Sequence, residues 1–264
     1  MTTPSFTDLV GCALPLQLAG MGGVSTAELA AAVSAAGGLG MTEKARVVEL
    51  FFGDPDRSLV EIAHAQGALV SWQVGSTEEA NAAHQAGCDI IVAQGIEAGG
   101  HVRGRDDLES LLNACTDLAT PIVAAGGIAN PEDVEDAFDS PASAVRIGTR
   151  FLAATEANVH PTYVDALITA KRSDTVITTE FDVGWPNAPA RVLRSSLEAA
   201  RKSDDPCATV GDEAWPVPRF STLPPTKDAR GNVAAMPHYA GFSVDGVMKR
   251  QSAKEIVEEL CRGV

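Results

Sequence analysis

The segment Ile90-Ile91-Val92-Ala93-Gln94-Gly95-Ile96-Glu97-Ala98-Gly99-Gly100-His101 joins an apolar run of strand length to a glycine-rich turn that ends on a histidine. A strand buried on both faces reads as continuous Val, Ile and Ala rather than as alternation. Proteins of the α/β class place their ligands at the carboxyl ends of such strands. Gly99 and Gly100 carry no Cβ and let backbone approach a flat or anionic ligand. His101 is the side chain here best able to take or give a proton near neutral pH. Read alone, the same turn is equally a tight connection with a solvated histidine.

Working outward, strand-like and helix-like segments alternate. Leu14 to Ala19 is a short apolar strand, turned by Met21-Gly22-Gly23-Val24. Ser25 or Thr26 caps a helix from Ala27 to Ala36, and Leu39-Gly40-Met41 reads as a very short strand. Val47 to Phe52 is the next strand, and Asp54-Pro55 opens a helix running to about Gln66. Leu69 to Val74 is a strand, and Ser76 caps the helix Glu78 to Ala86. Beyond His101 come a helix from Asp106 to about Leu118, the strand and turn Pro121 to Ile128, and a short helix from Asn130-Pro131-Glu132 to Phe138. The last strand and turn span Ala144 to Arg150.

Such alternation with short loops predicts a parallel sheet with helices outside. Three consecutive strands end in glycine-bearing turns, at His101, at Gly126-Gly127 and at Gly148-Thr149. Late glycine turns are where a (β/α)8 TIM barrel holds phosphate on backbone N–H groups. A doubly wound sheet would carry its glycine fingerprint after the first strand, and no Gly-x-Gly-x-x-Gly stands there. The expected fold is therefore a TIM barrel, abbreviated by about one β/α unit. Only Thr42 to Ala45 separates Met41 from the Val47 strand, too little for a parallel crossover of a dozen or more residues.

Three segments follow: a barrel body over 1–181, an irregular lid over 182–240 across the barrel mouth, and a C-terminal stretch over 241–264 whose helix Ser252 to Leu260 completes the outer ring. Within the lid, Leu193 to Lys202 is helical, and Trp185 and Trp215 are expected to pin the segment to the body.

Bulk composition narrows the class. A net charge of −15 argues against nucleic acid or an anionic membrane as partner. Five scattered cysteines without a Cys-x-x-Cys pair fit a reducing compartment and no structural zinc. The opening residues lack a basic region followed by an apolar core, and no apolar run reaches ~18 residues. A cytoplasmic protein with a small-molecule substrate is expected, with room for a homo-oligomer.

Several passages together resemble the nitronate monooxygenases, formerly 2-nitropropane dioxygenases, and the related FMN-dependent enoyl reductases. They are Gln17 to Ser25, Gln94 to His101, Ala124 to Ile128, Ile147 to Leu152 and Met236-Pro237-His238-Tyr239-Ala240-Gly241. The resemblance implies a TIM-barrel flavoprotein with non-covalent FMN, which would carry the electron chemistry. By position Met21, Gly22 and Gly23 would lie along the flavin, Gln94, Gly99 and Gly100 would contact it, and Gly126, Gly127, Gly148 and Thr149 would hold its phosphate. His101 would be the catalytic base, and Tyr239 and Gly241 would belong to the substrate-side lid. Two departures stand out: Gly20 replaces a usual proline, and a strand ending in an FMN-contacting asparagine is missing between Met41 and Val47.

The activity implied is oxidation of nitronates or nitroalkanes by O2, His101 removing the acidic proton beside the nitro group. An NAD(P)H-dependent reductase of an activated C=C bond, of the enoyl thioester type, and a non-catalytic flavin-binding barrel are the alternatives. Arg103 and Arg105 either meet an anionic substrate or are solvated. Tyr239 either closes the pocket or anchors packing. His64 and His84 are read as surface residues, His160 as a helix cap, and His238 as a neighbour of the lid. No Gly-x-Ser-x-Gly elbow and no cluster with metal-ligand spacing is present.

Overall fold

The computed structural model describes residues 5–40 and 47–263. The parallel strands are β1 (Leu16–Leu18), β2 (Val47–Leu50), β3 (Leu69–Val74) and β4 (Ile90–Gln94). A two-residue strand, β5 (Gly100–His101), precedes the last two, β6 (Ile122–Ala125) and β7 (Ala142–Ile147). They form one curled sheet in the order β1-β7-β6-β4-β3-β2, from which β5 is excluded. The first strand pairs in parallel with the last, Leu16 opposite Val145, so the sheet wraps as a half-barrel. Leu39 adds a single parallel bridge to Gln17 on the other side of β1. The expected gap between Met41 and Val47, and Met41 itself, fall outside the described residues.

Helices α1 (Phe6–Val10), α2 (Ala27–Ala35), α3 (Arg57–His64), α4 (Thr77–Ala86), α5 (Leu108–Ala114) and α6 (Pro131–Asp139) precede or follow these strands. Their starts obey capping chemistry. Thr26, Ser76 and Asn130 each accept a backbone N–H with the side chain, which satisfies an otherwise orphaned donor. Asp56, rather than the Asp54-Pro55 pair, caps α3, so Pro55 lies before the helix and not in its first turn. Asp107 caps α5, which is shorter than the predicted Asp106 to Leu118.

Alternation along the strands sorts two environments. Ile91 and Ala93, with Ile122 and Ala124, face the helices in the main core, while Ile90, Val92, Val123 and Ala144 face inward. Phe6 of α1 fills the inner layer beside them and is fully buried.

The expected irregular segment is largely ordered. Beyond the short helix α7 (Thr149–Leu152) and α8 (Pro161–Thr169), strands β8 (Thr175–Thr178) and β9 (Ala190–Leu193) join β5 in an antiparallel sheet ordered β5-β9-β8. After α9 (Arg194–Arg201), strands β10 (Ala208–Val210), β11 (Trp215–Val217) and β12 (Arg230–Gly231) make a second small sheet. The pairings of β9 with β5 and of β12 with β10 join distant stretches, which local sequence does not signal, whereas β10 and β11 form a local hairpin with Val210 opposite Trp215. Phe181, Val192, Leu197, Val217 and Met236 give this region its own apolar cluster. Trp215 does not pin it, since 63% of the residue is exposed. Helix α10 (Ala253–Leu260) starts on a Ser252 capping box and packs on α2 and α6.

Candidate active site

A cavity of about 380 Å³ opens at the carboxyl ends of the parallel strands, a volume within the ~300–1,000 Å³ of small-molecule sites. Gln94 closes β4, Ala125 closes β6 and Gly148 follows β7, and all three line it. Of the residues singled out from sequence, Met21, Gly22, Gln94, Gly99, Gly100, His101, Gly126, Gly127, Gly148, Thr149 and Tyr239 line this one space, whereas Gly23 and Gly241 stand outside the lining.

His101 is held from three sides. Gln94 Nε2 donates to its backbone carbonyl at 3.0 Å. In the β5–β9 ladder His101 pairs with Ala190, and Val102 N–H donates to the carbonyl of Pro189 at 2.9 Å. Arg191, opposite Gly100, reaches back with Nη2 to the carbonyl of Ile96 at 2.8 Å. The loop after β4 is thus gripped by chain up to 95 residues later. His101 Nε2 and Gln94 Oε1 are both buried without a partner among the described residues. Burial pushes the His101 imidazole below its ordinary value of 6.5, which favours the neutral ring.

Glycine at 99 serves packing. A Cβ there would stand 2.4 Å from the Gly241 nitrogen and 2.7 Å from the Ala240 carbonyl carbon. Gly241 therefore acts behind the lining: its N–H donates to Thr149 Oγ1 at 3.1 Å, leaving the threonine hydroxyl proton free to be donated. Gly126, at φ 111°, and Gly127, at φ 78°, make the turn after β6, a backbone path that L side chains rarely adopt.

The floor is polar and was not foreseen. Arg146 on β7 is buried, and its guanidinium donates to Gln17 Oε1 at 3.0 and 3.1 Å, to Gln73 Oε1 at 2.7 Å, to Glu49 Oε1 at 2.8 Å, and to Glu49 Oε2. A single polar residue inside each of Leu-Gln-Leu, Val-Val-Glu-Leu, Trp-Gln-Val and Ala-Val-Arg-Ile is the signal that could have found this layer.

The roof is aromatic. Trp185 lies on His101 with ring centroids 4.2 Å apart, and Tyr239 is 5.8 Å from His101 on another side. Tyr239 lines the cavity and donates its hydroxyl to the Thr222 carbonyl at 2.8 Å.

Arg103 and Arg105 do not reach the cavity. Arg103 is paired with Glu79 and Asp54, and Arg105 is exposed. His64 pairs with Asp89 and His84 with Thr120, both on the outer helices, and His160 Nδ1 caps α8. His238 is buried outside the lining and stacked on Tyr163, which does line the cavity. Among the described residues no His, Cys, Asp and Glu cluster could hold a metal ion, and no helix is long and apolar enough to cross a membrane.

The model of the nitronate monooxygenase family matches residues 41–263. A probable nitronate monooxygenase of Bacillus subtilis is 27% identical over 234 residues, covering 83% of this chain and 64% of that protein. A nitronate monooxygenase of Pseudomonas aeruginosa is 37% identical over 150 residues, 52% of this chain and 42% of that one. The chain thus spans less than two thirds of these curated relatives. Among solved structures, FabK from Thermotoga maritima is similar with a TM-score of 0.77 and 26% identity, covering 99% of this chain and 96% of that one. Nitroalkane oxidase from Streptomyces ansochromogenes gives a TM-score of 0.77 at 26% identity, covering 97% and 96%.

Proposed function

This chain belongs to the nitronate monooxygenase family, and from that premise we propose that it is an FMN-dependent oxidoreductase that oxidises alkyl nitronates and nitroalkanes with O2, His101 acting as general base. The observation that carries the reading is His101 itself, which lines the cavity beyond the end of β4 and whose Nε2 is buried without a partner among the described residues.

The residues present fit FMN. The cavity is of cofactor size, the two residues Gln94 and His101 that line it each carry a buried polar atom without a partner among the described residues, and backbone turns at Gly126-Gly127 and Gly148-Thr149 border it. Met21 and Gly22 would lie along the ring system, with Gly23 behind them, Gln94, Gly99 and Gly100 would contact it, and Gly126, Gly127, Gly148 and Thr149 would hold the phosphate. Backbone N–H groups and the free Thr149 hydroxyl proton suit that anion. When bound, FMN supplies the electron transfer that side chains cannot perform.

The chain's own residues supply position and a base. Gln94 and the β9 ladder fix the imidazole, burial keeps it neutral, and Nε2 takes the α-proton of a nitroalkane. Trp185 and Tyr239 keep bulk water off that exchange. Residues 182–240 form the lid, 1–181 the body and 241–264 the closing outer segment of a TIM barrel shortened by about one β/α unit.

The test is anaerobic mixing of the FMN-loaded protein with ethyl nitronate. Bleaching of the flavin band and its return with oxygen is expected, and an unchanged spectrum counts against the reading. The likeness to FabK favours one second reading, NAD(P)H-dependent reduction of an enoyl-type C=C bond. Rapid bleaching by NADH or NADPH alone would select it.

A further inference from the structure

The imidazole of His101 sits in an aromatic box that the family match does not explain. Trp185 lies over it at 4.2 Å with the rings tilted by 32°. Phe52 backs both rings edge-on, 4.8 Å from Trp185 and 6.1 Å from His101, and Phe51 meets Trp185 at 6.4 Å. Tyr239 closes a further side at 5.8 Å.

Phe52 holds its place at φ 66°, a left-handed conformation that is a genuine outlier for a bulky side chain. Such strain persists only where the surroundings over-determine it, and it clusters at ligand clamps. The turn is tied down from outside by Trp72 Nε1, which donates to the Gly53 carbonyl at 3.2 Å.

The charge in the cavity is also committed. A guanidinium has five N–H donors, and Arg146 spends five bonds on Gln17, Gln73 and Glu49. It has no donor left for a substrate carboxylate, and Glu49 brings a negative charge to the same wall. The chain's net charge of −15 repels anions at long range as well.

Resting on the nitronate reading, we propose that Trp185 is the specificity-determining residue of this site, and that the substrate is a nitro compound bearing a neutral, planar apolar group. That group lies against the aromatic lining that Trp185 and Tyr239 give the cavity, and a substituent carrying a carboxylate is refused. Offset or edge-on ring contacts supply the attraction, while an unpaired carboxylate in such a box would lose its hydration without a partner.

The experiment separates this inference from the activity itself by using ligands without an α-proton. Nitrobenzene and 4-nitrobenzoate differ by one carboxylate, and neither can be turned over by proton removal. Calorimetric titration of the FMN-loaded protein should give a dissociation constant for nitrobenzene at least about tenfold lower, the scale on which pockets discriminate. Trp185→Ala should bring the two constants within about threefold, and Trp185→Phe should retain the preference. Equal or tighter binding of 4-nitrobenzoate, no measurable binding of either, or a preference untouched by Trp185→Ala overturns the inference. A preference that persists in a protein inert toward phenylnitromethane and its nitronate would leave the inference standing and remove the oxidation reading instead.

Discussion

Gln94, the last residue of β4, donates from Nε2 to the backbone carbonyl of His101 at 3.0 Å. The strand that carries the chain into the site therefore also clamps the far end of its own loop. The second clamp, the ladder to Ala190, comes from the C-terminal half. The imidazole is positioned by two elements that meet only in the folded protein, an arrangement suited to holding a base to within fractions of an ångström.

On the proposed role, His101→Ala would remove the base and leave the glycine turns intact. With a neutral nitroalkane kcat/KM should fall by about 10²–10⁴, the usual contribution of a positioned general base. With preformed nitronate the loss should be much smaller, because no proton needs removing. FMN content should be unchanged by absorbance. An equal loss on both substrates would strip His101 of the assigned role.

Acid sensitivity should centre on His238. Its ring stacks on Tyr163 at 4.5 Å, Nε2 meets the Val233 carbonyl at 3.2 Å, and Nδ1 has no partner among the described residues. Burial pushes its pKa down from 6.5 to about 4. The unfolded chain binds this proton below pH 6.5 and the folded chain refuses it until about pH 4. Stability is therefore full above pH 6.5 and drains as pH falls toward 4, by about 3 kcal/mol from this group. His101, also lowered by burial, acts in the same direction. Urea midpoints measured between pH 7 and pH 4.5 should fall less steeply in His238→Phe than in the wild type.

The floor of the site should behave as one unit. The Arg146 side chain is 4% exposed and that of Glu49 21%. Glu49→Leu leaves the more deeply buried charge unpaired and should cost about 3–5 kcal/mol. Arg146→Met, which strands a carboxylate nearer to water, should cost less. The double variant should recover most of the loss, since removing both charges spares the desolvation of either. Denaturant midpoints of the four proteins give the coupling, and strictly additive losses would mean the pair is not interacting.

What was readable in the chain followed from local pattern. The apolar runs at β3, β4 and β6 and the glycine turns after β4, β6 and β7 announced both the parallel sheet and the side on which the cavity lies. Arg146 was read only as a strand residue, because its partners Gln17, Glu49 and Gln73 come from three other strands and up to 129 residues away. Strand β9 escaped for the same reason. Ala190–Leu193 is four residues long and sits in Pro- and Arg-rich sequence, and its pairing with Thr175–Thr178 and Gly100–His101 is set by tertiary register. Trp185 was seen as an anchor, but that it would anchor onto the histidine depended on that unseen sheet.

Gly99 and Gly100 are neighbours whose replacement by alanine should have different consequences. A methyl group at 99 would meet rigid backbone, 2.4 Å from the Gly241 nitrogen, and Gly241 is itself hemmed in, since its own Cβ would stand 2.6 Å from the Glu97 carbonyl oxygen. Residues 240–241 must then move outward. That displaces the Gly241 N–H from Thr149 Oγ1 and shifts Tyr239, which precedes them. Gly99→Ala should therefore cost about 1–3 kcal/mol, as overpacking does, and should weaken FMN binding through Thr149. At Gly100 a methyl group would enter open space, and the penalty is confined to φ 77°, about 1–2 kcal/mol for an L residue. Fluorescence titration with FMN should show the dissociation constant rising in Gly99→Ala. If Gly99→Ala binds FMN as the wild type does, the contact between Gly99 and Gly241 is not what holds Thr149 against the cavity, and the hydroxyl's proposed part in gripping the phosphate fails with it.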